Sequence, residues 1–357
     1  MKNTMAHSNI NWVELQLLVD KLAEPGLGPG SVPEVEWEVI RQSLDRLLAD
    51  ENWKDIIRLR KMFTALFARD TVGGLPLLQS LDEAAIRAAR HTDGVAELAH
   101  LLGAKGHNLH RQGYHREAIE AFEESAKLYE KIGESFQSLK SYYMTSLCHR
   151  ALGDRARARR ILAQVLQQVK EDDPWRGNPL QVTAWLAQDD GQLDEAERFL
   201  TEAVSLQEQS RDPDILVAGT LADLGEVVGL QGRVAEAKEV FERSLAILAK
   251  HEGQYDRQEA RTRLKLAELL MRQKEYSQAF SLLDQADDKV RGYGHYYDLL
   301  WRIELARAFI YLKKGRLGSV VRKLRAVLRY RRELGLSNIM LVRQLWDRLR
   351  TGTGLPR

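Results

Sequence analysis

The sequence predicts an all-α solenoid, and three observations predict it. Ala, Leu, Glu, Arg and Gln dominate, while runs of Val, Ile and Thr are almost absent; the former lose least freedom on entering a helix. Proline is scarce, 8 in 357 residues, less than half of the usual share of about 5%. A pattern of apolar helix, turn and second helix recurs six times along the chain.

The first ninety residues lack that regular spacing. Residues 11–23 alternate apolar and polar at helical spacing and predict a short helix. EPGLGPGSVP (24–33) is rich in Gly and Pro and predicts a loose linker. Two further helices are expected over 34–49 and 52–69, joined near Asp50. TVGGLP (71–76) breaks the chain, and 81–91 is expected to be helical again. Residues 1–91 are therefore an N-terminal helical module: a decayed repeat, a cap or a separate bundle.

From residue 92 to 335 the pattern becomes periodic. The turn position is Gly113, Gly153, Gly191, Gly232, Lys274 and Gly315, at spacings of 40, 38, 41, 42 and 41 residues. Glycine tolerates the left-handed backbone that ends one helix and starts the next. Five residues on stands a small residue, Ala118, Ala158, Ala196, Ala237, Ala279 or Val320. Four further on stands a large apolar one, Phe122, Leu162, Leu200, Phe241, Leu283 or Leu324. The small residue lets antiparallel helices approach, and the large one, on the same face, fills the groove between them. A hairpin of this size cannot bury its apolar face alone, so successive hairpins must stack.

These residues resemble the tetratricopeptide repeat (TPR) family. Leu221, Leu224, Gly225, Gly232, Ala237 and Phe241 match its pattern in one copy, and Leu102, Gly106, Gly113, Ala118 and Phe122 in another. Glu304 and Arg307 occupy positions that the family fills with apolar residues, which puts the register of that helix in question. The spacing exceeds the family's usual period of about 34 residues, as in the extended repeats of kinesin light chains and bacterial regulators. The resemblance implies a superhelical solenoid whose first helices line a concave groove. Carried over repeat by repeat, the groove residues are His100, His107, His110 and Arg111, then Lys140, Tyr143, Leu147 and Arg150. Next come Gln181, Trp185 and Gln188, then Glu226, then Arg261 and Glu268. Trp185 is either a groove anchor or packs against the next repeat. The Lys/Asn clamp of the chaperone-binding subfamily is missing. A helical module followed by long repeats also resembles Rap-type bacterial regulators in layout, without their N-terminal motifs.

Charge is unevenly placed. Residues 301–357 carry 15 basic and three acidic side chains, a net +12, whereas the remainder carries 38 basic and 48 acidic, a net −10. In the last repeat Val320, Val321, Leu324, Val327 and Leu328 are expected to be buried. Arg322, Arg325, Arg329 and Arg332 then form a basic ridge on the opposite face, flanked by Lys323 and Arg331. The ridge faces solvent or the acidic body, docks an acidic partner or a second copy of the chain, or touches nucleic acid. Ser337 is expected to cap a final helix, so that 336–357 form a capping helix and tail.

Catalytic motifs are missing. GLGPGS (26–31) lacks the Lys of a phosphate-binding loop, and there is no H-E-x-x-H or G-x-S-x-G. Cys148 and His149 are adjacent, so on a helix they point about 100° apart and cannot act as nucleophile and base. His100, His107 and His110 share a helix face, but the first two stand about 10 Å apart, too far for one zinc. No metal or cofactor is expected, and no enzymatic activity. One cysteine, no run of about 18 apolar residues and a start without an apolar core suggest a cytoplasmic chain without a membrane span. The expected role is an adaptor or regulatory scaffold that binds a peptide or protein partner in the groove. The alternatives are a peptide-responsive regulator and a nucleic-acid-associated protein.

Overall fold

Six helical hairpins, each turning on a left-handed residue, carry the fold. The structure, a computed structural model, describes residues 10–22, 34–63, 76–210, 214–251, 253–291 and 296–333. The described residues form sixteen α-helices and no strand. The expected linker at 24–33 and the capping helix at 336–357 lie outside them. The chain divides into two compact units, Met1–Ile161 and Leu162–Arg357.

The first unit begins with α1 (Trp12–Leu22), α2 (Glu34–Ala49), α3 (Trp53–Met62) and α4 (Pro76–His91). Helix α4 starts five residues earlier than the pattern predicted, because proline needs no N–H partner in a first turn and its fixed φ suits that position. Asn52 caps α3 by accepting the Asp55 N–H at 3.4 Å. Leu15, Ile40, Leu47, Ile56, Leu59 and Leu81 are fully buried together, and the same core takes in Leu101 and Leu102 of α5 (Val95–Arg111). Hairpins α5–α6 (His115–Lys131) and α7 (Ser135–Ala151)–α8 (Arg155–Gln168) follow.

The second unit continues with α9 (Gly177–Asp189)–α10 (Leu193–Gln207) and α11 (Asp214–Leu230)–α12 (Val234–Ala249). Then come α13 (Asp256–Arg272)–α14 (Tyr276–Arg291) and α15 (Tyr297–Lys313)–α16 (Leu317–Glu333). Most of these helices run 15 to 17 residues, which accounts for the long period. One core spans α11 to α16, including Phe241, Leu264, Leu283, Ile303 and Val327.

The repeat pattern acts as its chemistry requires. The turn residues have φ of 85° (Gly113), 83° (Gly153), 81° (Gly191), 89° (Gly232), 64° (Lys274) and 70° (Gly315). Ala118, Ala158, Ala196, Ala237 and Ala279 are completely buried. A Cβ at Gly106 would stand 2.8 Å from the Phe122 ring, and one at Gly225 3.1 Å from Phe241. Glycine here lets the aromatic ring seat against the helix backbone, burying a side chain worth about 1.5–3 kcal/mol.

The last hairpin departs from expectation in two ways. Val321 and Leu328 are exposed, and Val320 and Leu324 are only half-buried. Among the described residues helix α16 packs chiefly on α15, which covers only part of its wide apolar arc. Arg331, expected beside the ridge, is buried with its guanidinium 5.0 Å above the Trp301 ring. Glu304 and Arg307 do not mark a shifted register. Both are buried, and Arg307 bonds to Glu304 and Asp287 at 2.8 Å each and also to Asp284. Lys323 reaches Glu304 at 2.8 Å. Opposite charges replace the apolar pair that the family places there.

Candidate functional site

In the first unit, α5, α6 and α7 surround a cavity of about 450 Å³. His100, Gly103, His107 and Arg111 recur at helical spacing, so one face of α5 forms a wall. Gln137, Lys140, Ser141 and Met144 of α7 form a second by the same rule, and Phe122, Ser125 and Tyr129 of α6 complete the lining. His107 meets the Phe122 ring edge-on at 5.2 Å. Arg60 of α3 also reaches the cavity, but its charge is matched by a buried ion pair with Asp82. Asn108 donates to the other Asp82 oxygen at 3.1 Å. The lining residues include no Asp or Glu. Arg111 and Lys140 make the cavity electropositive, while burial lowers the His107 pKa and favours its neutral imidazole.

The other groove residues expected in this unit point elsewhere. Tyr143, Leu147 and Arg150 are half-buried on α7 but do not line the cavity. His110 turns toward Cys148, its Nδ1 3.3 Å from the thiol sulfur. Its ring lies 5.1 Å from that of His115. Burial, then the neighbouring His115 and His107, lowers the His110 pKa to about 4. Burial pushes the Cys148 thiol up to about 12. At neutral pH a neutral thiol therefore faces a neutral imidazole, not the thiolate–imidazolium pair of a nucleophilic site. The sequence reading missed this contact, because the partner of Cys148 stands 38 residues away and not beside it.

In the second unit the expected groove residues converge on an unexpected one, Asp223 of α11. It is 1% exposed. It accepts hydrogen bonds from Gln181 Nε2 at 2.7 Å, Trp185 Nε1 at 2.8 Å and Arg261 Nη2 at 2.9 Å. Lys265 bonds to it too and reaches Glu226 at 2.5 Å. Burial alone would raise the Asp223 pKa, but the Lys265 and Arg261 charges outweigh it and hold it at about 2. Glu226 is lowered in the same way, chiefly by Lys265 against the cost of burial. Glu268 is buried, with Arg302 at 3.5 Å. Gln188 is half-buried further along α9, beyond Trp185 toward the helix end. Asp223 was discoverable: it stands three residues before Glu226, on the same helix face.

The basic ridge on α16 is exposed at Arg322, Arg325, Arg329 and Arg332. Arg329 lies 5.0 Å from the Tyr330 ring, and Arg322 donates to Ser319 Oγ at 3.2 Å. Among the described residues no helix is long and apolar enough to cross a membrane.

A succession of helical hairpins, each turning on a left-handed residue, is the architecture of a helical repeat protein, and comparison with known proteins agrees. Residues 99–132, 140–171 and 182–250 match models described as tetratricopeptide repeat. Over these stretches the chain contains tetratricopeptide repeats. No curated protein matches it in sequence. Among solved structures, NprR in complex with its cognate peptide NprX is 14% identical, covering 88% of this chain and 87% of that one at a TM-score of 0.55. The Rap conjugation gene regulator of plasmid pLS20, in complex with the Phr* peptide, is also 14% identical, covering 90% and 95% at 0.55. A Rap protein complexed with competence and sporulation factor is 13% identical, covering 85% and 99% at 0.52. At these identities the shared property is the fold, including the Rap-like layout.

Proposed function

We propose that the chain is a non-catalytic adaptor that holds a peptide or protein partner, with an acidic group of that partner seated in the cavity between α5 and α7. The observation that carries this reading is the lining: Arg111, Lys140, His100 and His107 with no carboxylate among them. A carboxylate entering there meets donors on both walls and an aromatic floor at Phe122. The neutral thiol at Cys148 fits binding better than catalysis. The test is a peptide array read with the full chain, followed by calorimetric titration of the best acidic peptides. Arg111→Glu/Lys140→Glu is expected to weaken binding at least about tenfold, or about 1.4 kcal/mol. Equal affinity in wild type and the double variant would overturn the cavity assignment.

A second reading is that the bound peptide acts as a signal, repositioning the N-terminal helices. Its support is the fold likeness to NprR in complex with the NprX peptide and to the pLS20 Rap regulator in complex with the Phr* peptide. Solution scattering at saturating peptide separates the two. A changed profile supports a regulator, and an unchanged one an adaptor.

A further inference from the structure

His110, His115 and Cys148 form a second cluster, outside the cavity. His110 lies in the last turn of α5, His115 opens α6, and Cys148 lies in the last turn of α7. The turn between α5 and α6 is fixed by Gly113, whose N–H bonds to the His110 carbonyl at 3.1 Å, and by the Tyr114 N–H on the Leu109 carbonyl at 2.9 Å. One ligand atom from each of the three side chains lies within 4.8 Å of the other two. We propose that this cluster is a mononuclear site for a thiophilic d10 cation, Cu⁺ or Zn²⁺.

Geometry carries the proposal. With metal–ligand bonds of about 2.0–2.3 Å, donor atoms around one tetrahedral ion sit roughly 3.3–3.7 Å apart. The Cys148 Sγ–His110 Nδ1 edge is already 3.3 Å. A thiol-to-imidazole hydrogen bond explains that edge alone. It leaves His115 Nδ1 buried without a hydrogen-bond partner, which costs free energy in a folded protein unless something satisfies the nitrogen. A small torsional swing of the His115 ring closes the set. Bound metal removes the thiol proton outright, so the neutral thiol is no obstacle.

The surroundings select the class of ion. Ala118, Phe122, Leu109 and Ile119 pack around Cys148, and no Asp or Glu belongs to the described cluster. One thiolate makes a Cu⁺ complex neutral but leaves a Zn²⁺ complex at +1, a charge that the Glu117 carboxylate acting on His115 would offset only from outside the ligand set. Met144 stands one turn before Cys148 on the same helix and packs in the same apolar cluster, a soft thioether on the thiolate's side of the site.

The experiment titrates the full chain anaerobically with Cu⁺ against a chromogenic chelator, and separately with Zn²⁺ against a fluorescent one. Co²⁺ replaces Zn²⁺ as a spectroscopic probe. The expected result is one equivalent of at least one ion and a thiolate-to-cobalt charge-transfer band. Cys148→Ser and His115→Ala, checked for helicity by circular dichroism, should each weaken capture by at least about tenfold. His251→Gln, in the other unit, should change nothing. The two arms identify the ion. Failure to capture either cation, or capture undiminished in both cluster variants, overturns the site.

Discussion

The indole N–H of Trp185 on α9 donates to the carboxylate of Asp223 on α11 at 2.8 Å. This bond makes one hairpin's first helix recognise the next one's, and it identifies Asp223 as the residue whose loss should be felt most. Asp223→Ala leaves Lys265 buried and Arg261 half-buried without their shared carboxylate. The expected cost is about 3–5 kcal/mol, seen as a lower urea midpoint. Trp185→Phe keeps a smaller aromatic ring and loses the indole N–H bond, so it should cost only about 1–3 kcal/mol. A smaller loss for Asp223→Ala than for Trp185→Phe would contradict this ranking.

Acid should weaken the same network. An aspartate in an unfolded chain titrates at about 3.9, whereas Asp223 is held at about 2. A depressed carboxylate contributes stability that is complete above its unfolded pKa and is lost as pH falls through the folded one. The contribution is about 2–3 kcal/mol, disappearing between about pH 4 and 2. Glu226 adds in the same direction. Urea midpoints measured across that range should fall less steeply in Asp223→Asn; parallel slopes would mean that another group carries the acid sensitivity.

Gly106→Ala should destabilise the first repeat by about 1–3 kcal/mol, because the added methyl meets the Phe122 ring at 2.8 Å. Gly103 is the matched control on the same helix, where a Cβ would meet only the Ser125 hydroxyl oxygen at 3.4 Å. Phe122→Leu in the Gly106→Ala background should recover part of the loss in thermal melts. Equal costs for the two alanine variants would rule out the ring contact as the cause.

Lys274→Gly should raise stability by about 1 kcal/mol. Lys274 holds a φ of 64° at a turn where the other five repeats use glycine. An L-residue pays about 1–2 kcal/mol for that conformation, partly offset by the greater freedom of an unfolded glycine. Denaturant titration of the single variant decides the sign.

The turn residues and the small–large pair made the hairpins legible, because each has a local cause: a left-handed φ at Gly113 or Gly232, a close ring at Gly106 or Gly225. What stayed hidden depends on helices far apart in sequence. Glu304 and Arg307 read as misfits until Asp287 and Lys323 stand beside them. His110, His115 and Cys148 lie on three helices, and only the fold brings them together. The groove positions of α5 named two cavity residues beyond the helix-end Arg111, but Gln137 and Tyr129 contribute to the lining from outside that pattern. Helix α16 reads as fully amphipathic, yet Val321 and Leu328 are exposed, since no pattern within a helix tells how many neighbours it has.

Chains built from near-copies face a problem that other folds escape: any hairpin resembles a suitable seat for any other, so skipped or exchanged units cost little. In the second unit the buried charges work as addresses. The hairpin bearing Asp223 finds Lys265 and Arg261 only on its true successor. The hairpin bearing Asp287 finds Arg307 only on the one after. A skipped unit would strand these ions away from water, turning a nearly free error into an expensive one. The charges that look like departures from the repeat consensus thus enforce the order in which the copies stack.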